Sequence, residues 1–349
     1  MKSLVVKVGL GALVTMSGAL AVGAESLDAT SPMVSYEGRC AAADDGAVWQ
    51  GFPGVVTRVA FAGEELSVEI ESEADDLYMD VSINGGEFTV LALKEGVHQY
   101  PLVSDTEGEY EVELVRRNEA WQGLIAIRGF EAPGGVFTGP QALPERKLMF
   151  IGDSITCGGA ADVERNSTEE GNRIANGRVS FGKQLAEMLD AQCHLVSYGG
   201  RGIIRDWQAH RYANNAPQFY ERALPDDPES AWDHSRYVPD AIGICLGTND
   251  FNQGIPDQVE FEGAYVEFVR KVMRDAPEAR VFLIGSPMFG TTGADAVKRS
   301  AIELFLDRIV ATLNQPMVRH LRISHYPGRE VNAHPIASEH LEMARELYP

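Results

Sequence analysis

Between about Val34 and Phe137 apolar and polar residues alternate along the chain. Leu66, Val68 and Ile70 make one such run, and Leu77, Met79, Val81 and Ile83 make another that leads into Asn84-Gly85-Gly86. A period of two gives a strand one buried face, and an Asn-Gly turn supplies the positive φ angles of a tight hairpin. Phe88, Val90 and Ala92 continue the return strand, and Tyr110, Val112 and Leu114 form a further one. Six or more short strands without a clear helix predict a β-sandwich over residues 32–140.

Pro133-Gly134-Gly135 and Gly139-Pro140 then punctuate the chain, and the period changes. Strand candidates are Leu148 to Ile151, His194 to Ser197, Ala241 to Leu246, Val281 to Ile284 and Val318 to Ile323. Between them Phe181, Leu185, Met188 and Leu189 share one helical face, as do Phe261, Tyr265, Phe268, Val269 and Val272. Near-continuous apolar strands alternating with helices predict a parallel sheet covered on both sides, over residues 145–349. Such sheets bind ligands at the carboxyl ends of their strands. Ser154, Gly202 and Asn249 each follow a strand candidate, so one pocket is expected to collect all three.

Residues 1–24 belong to neither half. Lys2 and Lys7 precede an apolar stretch, Val8 to Val22, and Val22-Gly23-Ala24 fits a small-residue cleavage site. This reads as a signal peptide cut after Ala24, hence a secreted or periplasmic protein with no membrane attachment after cleavage. Losing it removes two lysines and no acids, taking the formal charge from −21 to −23. So acidic a surface repels nucleic acid and anionic membranes. Cys40, Cys157, Cys193 and Cys245 have no metal-ligand spacing, and Cys193 and Cys245 sit in apolar runs as small hydrophobes. No metal or organic cofactor is expected. Asp75-Asp76 and Asp226-Asp227 read as solvated loop charge.

The chemistry concentrates in four short segments. Ile151-Gly-Asp-Ser154 ends a buried strand in a turn that exposes one hydroxyl. Gly247-Thr-Asn-Asp250 offers the side-chain N–H₂ of Asn249, and Gly202 offers a backbone N–H with no side chain to block approach. Among eight histidines His334, followed by Pro335 between the last strand and the C-terminal helix, is the best base. Acyl transfer needs this set: an activated nucleophile, a base, and donors aimed at the developing oxyanion.

In chain order, Ser154, Gly202, Asn249 and His334, the segments resemble the four blocks of the SGNH (GDSL-type) hydrolases. A narrower resemblance, to family-2 carbohydrate esterases, takes in Trp49-Gln-Gly-Phe-Pro-Gly54, the Ala62-Gly63 turn, Leu114-Val-Arg-Arg-Asn-Glu119, Ser197-Tyr-Gly-Gly-Arg-Gly-Ile203 and Trp232-Asp-His-Ser-Arg236. It implies an N-terminal jelly-roll followed by an α/β/α SGNH domain, and removal of O-acetyl groups from xylan or related plant polysaccharides through an acetyl-enzyme. It makes Ser154 the nucleophile and His334 the base. Gly202, Asn249 and the Ser154 N–H would form the oxyanion hole, with Asp153 bracing the turn.

Two positions depart from that pattern. The superfamily commonly carries Asp three residues before its histidine, where this chain has Val331, so a Ser-His dyad is expected. The resemblance implies that a neutral acceptor such as a backbone carbonyl holds the imidazole; Asn332 could also serve through its side-chain oxygen, though without charge it would stabilise imidazolium less. Ala333 replaces an aromatic residue often found there. Trp207 is a candidate sugar-binding residue, whereas Trp232 and His340 read as structural. Two other readings stay open at this level: an SGNH lipase or thioesterase acting on acyl chains, and a carbohydrate-binding protein whose esterase site has decayed.

Overall fold

The computed structural model describes residues 25–104, 106–140, 142–211 and 214–349. The expected signal peptide, with its cleavage after Ala24, lies outside the described residues. Among them no helix is long and apolar enough to cross a membrane.

The alternating half forms two antiparallel six-stranded sheets. One runs Cys40–Ala42, Val48–Gln50, Ile125–Glu131, Leu66–Ser72, Gly96–Val103, with Ser26–Asp28 added on Ile125–Glu131. The other runs Val136–Phe137, Val56–Gly63, Gly108–Arg116, Tyr78–Ile83, Thr89–Ala92, with Ser35–Glu37 added on Val56–Gly63. Leu66, Val68 and Ile70 from the first sheet join Phe61, Met79, Val112 and Leu114 from the second in one core. The hairpin turn is of the predicted kind: Asn84 and Gly85 both have positive φ, 52° and 67°, and the Gly86 N–H donates to the Ile83 carbonyl at 2.9 Å. Its return strand, Thr89–Ala92, is an edge strand, and for that reason Val90 stays exposed despite the apolar pattern.

The second half is a five-stranded parallel sheet in the order Ala191–Ser197, Arg146–Gly152, Ala241–Cys245, Arg280–Ile284, Val318–Leu321. The chain starts at Arg146–Gly152, steps to one neighbour, then crosses to the other. The carboxyl ends of these three strands therefore flank a switch point, the place where such sheets open a crevice. Helices Phe181–Met188, Gln258–Asp275, Gly293–Leu313 and Ala337–Leu347 pack on the sheet. Gln258–Asp275 buries the predicted face, Phe261, Tyr265, Phe268, Val269 and Val272. Pro335 lies two residues before the last helix.

Charge-assisted hydrogen bonds join the halves. Asp80, fully buried on Tyr78–Ile83, accepts from Arg117 at 2.7 Å, Asn176 at 3.1 Å and Arg178 at 2.5 Å. Arg39, also buried, donates to the carbonyls of Tyr220 and Arg222 and lies over the Trp232 ring, which makes Trp232 structural. All four cysteines are buried and unpaired.

Candidate active site

The nucleophile turn is dictated by its glycines and its aspartate. A Cβ on Gly152 would stand 1.9 Å from Thr156 Oγ1, so only glycine lets the strand turn this tightly into the short helix Ser154–Cys157. Asp153 caps that helix, its Oδ1 accepting the Ile155 N–H at 3.1 Å. Gly158 ends it with φ 71°, the left-handed conformation that glycine tolerates best. Asp153 is fully buried, which fits a brace rather than a substrate contact.

Gly247 has φ 116° and opens the turn after Ala241–Cys245. It sends Thr248 Oγ1 to Ser286 Oγ at 2.8 Å and Asn249 toward the nucleophile turn. Asn249 Nδ2 donates to Asp153 Oδ2 at 3.1 Å and to the Arg201 carbonyl at 3.0 Å, so both of its hydrogens are engaged. Asp250 accepts the N–H groups of Ile203, Ile204 and Arg205 at 2.9, 2.9 and 3.2 Å, which fixes the loop that follows Ala191–Ser197. Its carboxylate fills the space beside Gly202, where a Cβ would come within 2.2 Å of Asp250 Oδ2. Gly202 is thus required by Asp250. Its N–H has no acceptor among the described residues.

His334 arrives on a folded-back loop. Its carbonyl accepts the Arg329 N–H at 2.9 Å, and the Arg329 carbonyl accepts the Ala333 N–H at 2.8 Å. The buried Arg329 guanidinium donates to the carbonyls of Ser167 and Glu169 at 2.9 and 2.6 Å, which ties the loop down. Ala333 has φ 57°, a strained choice for a residue with a Cβ, immediately before the histidine. Nε2 of His334 lies 2.8 Å from Ser154 Oγ, and Nδ1 lies 3.2 Å from the Asn332 carbonyl oxygen. A carbonyl can only accept, so Nδ1 carries the proton and Nε2 is left to accept from the serine.

Here the structure decides between the two neutral acceptors left open by the sequence. Asn332 meets the imidazole through its main-chain carbonyl, while its side-chain oxygen accepts the His334 backbone N–H at 3.3 Å. Because every residue carries a carbonyl there, Asn332→Ala is expected to lower kcat on a small acetyl ester by no more than about threefold, the worth of one weak exposed hydrogen bond. A loss of about a hundredfold in that assay would return the role to the side chain. Val331 is exposed and supplies no carboxylate.

Ser154 and His334 open into a cleft of about 780 Å³, lined also by Tyr198, Gly199, Gly200, Arg201, Thr248, Asn249 and Asn332. Gly202 is not itself one of the lining residues. Trp207 is half exposed in the cleft wall, as its candidate role requires. Glu119 and Trp121, both from the β-sandwich, complete the wall and were not singled out as site residues from the sequence. Glu119 ends the Leu114-to-Glu119 motif, but no periodicity could say that this motif crosses to the other domain. His340 is buried, accepts the Phe181 N–H at 3.2 Å through Nδ1, and stacks on Phe181.

Burial sets the electrostatics. It lowers the His334 pKa below its usual value, with the Asn332 carbonyl opposing and the Arg329 charge adding. It raises Asp153 to about 7, helped by the charges of Asp250 and Glu119, and raises Asp250 to about 6 against its three backbone donors. Away from the cleft Glu221, His234 and Asp275 come together, but the Lys271 ammonium pairs with both carboxylates at 2.7 and 3.2 Å and supplies the cation there.

Two family models match the chain: Carbohydrate esterase 2 N-terminal over residues 36–140, and the GDSL-like Lipase/Acylhydrolase family over residues 150–326. An acetylxylan esterase / glucomannan deacetylase of Cellvibrio japonicus is 35% identical over 329 residues, 93% of this chain and 89% of the relative. A solved family two carbohydrate esterase from the same organism superposes with TM-score 0.87 at 34% identity, covering 93% of this chain and 96% of the other. One from Clostridium thermocellum, solved with cellohexaose, gives TM-score 0.80 at 27% identity and covers 90% and 96%. The sandwich and the parallel sheet thus recur as one unit along nearly the whole chain, which belongs to the family-2 carbohydrate esterases, carboxylic ester hydrolases of the SGNH type.

Proposed function

We propose that this esterase removes O-acetyl groups from plant-type polysaccharides, acetylated xylan or glucomannan, through an acetyl-enzyme on Ser154. The observation that carries the reading is the 2.8 Å contact between Ser154 Oγ and a His334 whose other nitrogen is already spent on a carbonyl. His334 Nε2 takes the hydroxyl proton as Oγ attacks the acetyl carbonyl carbon. The resulting oxyanion is held by the N–H groups of Ser154 and Gly202 and by Asn249. For Asn249 this means turning one hydrogen away from Asp153 or Arg201. The imidazolium then protonates the departing sugar oxygen, and a water activated by the freed imidazole releases acetate. Among the described residues it is the Asn332 carbonyl, and no carboxylate, that meets His334 Nδ1, so the machinery is a dyad.

The cleft also supports the choice of substrate. Trp121 and Trp207 are 55% and 50% exposed in its wall, and flat aromatic faces suit a pyranose ring better than a flexible acyl chain. Trp207→Ala is expected to raise KM for acetylated xylo-oligosaccharide by roughly tenfold while sparing a small acetyl ester. Equal effects on both substrates would remove Trp207 from the sugar site. The decisive assay is acetate release from acetylated xylan and glucomannan beside an octanoyl ester; preference for octanoyl would replace the carbohydrate reading with a lipase one. The apolar leader over residues 1–24 supports export to the periplasm or beyond, where such polysaccharides are met.

A further inference from the structure

The carboxyl group of Glu119 comes from the β-sandwich and ends between two loops of the other domain. A Cβ on Gly199 would stand 2.1 Å from Glu119 Oε2, and a Cβ on Gly159 would stand 2.7 Å from Glu119 Oε1. Gly159 follows the Ser154 helix, and its N–H donates to the Ser154 carbonyl at 2.8 Å. Gly199 opens the loop that carries Arg201, whose carbonyl anchors Asn249, and Gly202. One carboxyl thus packs against the nucleophile turn on one side and the oxyanion loop on the other.

Glu119 is not a mobile arm. Its own N–H donates to Gln122 Oε1 at 2.8 Å, and the preceding Asn118 accepts the Tyr78 N–H at 2.6 Å while donating to the Asn172 carbonyl at 3.1 Å. Arg117 is bonded to Asp80 of the sandwich and to the Arg173 carbonyl of the catalytic domain. The backbone that presents the carboxyl is therefore fixed to both halves. Oε2 is inaccessible to solvent, and the carboxyl takes side-chain hydrogen bonds from Trp121 and Cys157. An atom so enclosed is not placed to bind sugar. Burial raises this carboxyl to about 7, against Trp121 and Cys157 beside it, a cost the fold tolerates here.

We propose that Glu119 is a cross-domain positioning residue of the esterase site: its side chain wedges the Gly199–Gly202 loop against the nucleophile turn and so sets where the oxyanion donors stand. The sandwich then completes the catalytic site, and does not merely accompany it. Removing the wedge leaves a gap into which the loop relaxes, and a shift of about 1 Å in a donor is worth about a hundredfold in rate.

The kinetic part of the test rests on the esterase reading; the exchange part does not. Glu119→Ala, →Asp and →Gln are compared with the full chain. For p-nitrophenyl acetate, kcat is expected to fall roughly 10- to 100-fold in Glu119→Ala with KM held within about twofold, and to recover to within about threefold of the parent in the similarly shaped Glu119→Gln. Glu119→Asp, one methylene short, behaves like Ala, and serves if the Ala variant does not fold. Amide hydrogen exchange over residues 198–206 rises in the Ala and Asp variants and not in Gln. Unchanged exchange there overturns the proposal whatever the activity, and a raised KM with kcat intact overturns it in favour of a substrate contact. If the parent chain hydrolyses no acetyl ester, the function above fails and the exchange result alone decides the wedge.

Discussion

Replacing Ser154 with alanine will abolish acetate release, by about 10⁴-fold or more, while leaving the fold and the sugar cleft intact. The size follows from how the parts depend on one another. In the proposed mechanism Oγ forms the bond to the acetyl group, and the imidazole at 2.8 Å takes the proton that attack releases. What survives is the oxyanion donors acting on water, which in comparable sites retain some 10³-fold over the uncatalysed reaction. The fold should not suffer, because the turn is held by groups other than the hydroxyl: Gly152 against Thr156, the Asp153 cap, and the Gly159 N–H on the Ser154 carbonyl. The check is acetate release from acetylated xylan by parent and variant, with thermal unfolding of both. A variant that keeps a tenth of the parent rate, folded, would take the nucleophile away from Ser154.

The sequence announced some of this more plainly than the rest, and the division is physical. Strand alternation and strand–helix alternation report burial, which is local in sequence, so the sandwich, the parallel sheet and the buried face of Gln258–Asp275 could be read in advance. Ser154, Asn249 and His334 could be read because the turn that carries each has its own chemistry. Val90 misled because an edge strand and a central strand share one alternation, and only pairing tells them apart.

Three features of the site had no local signal. The imidazole is oriented by a main-chain carbonyl, which every residue has, so the identity of Asn332 could not decide between its carbonyl and its side-chain oxygen. Gly202 was read as an open N–H, whereas its lack of a side chain is demanded by Asp250, 48 positions away. Glu119 and Trp121 reach the cleft from the other domain. That placement depends on the contacts of Arg117 and Asp80 across the domain boundary, and no window of sequence contains them.

The second large effect concerns His334 and its pH dependence. His334→Ala should cost about 10³- to 10⁴-fold in kcat, because Ser154 then has no proton acceptor. In the parent chain the sign of the pH effect follows from what surrounds the ring. The base works only when neutral. Burial disfavours the imidazolium, the nearby Arg329 charge disfavours it further, and the Asn332 carbonyl offsets only part of this, so the pKa lies below the usual 6.5. Neutral His334 therefore persists as pH falls through 6.5, and kcat/KM should hold there and drop only at lower pH. A carboxylate at the Val331 position would have done the reverse, favouring imidazolium and moving the limb upward. Asp153 and Glu119 titrate near 7, so a limb found there must be assigned: one that vanishes in Glu119→Gln or Asp153→Asn belongs to those groups and not to the base. With that control in place, kcat/KM for p-nitrophenyl acetate measured from acid to neutral pH decides the matter. An inflection at or above 6.5 that survives both substitutions would mean that a charged partner assists His334, and the dyad would have to give way to a triad.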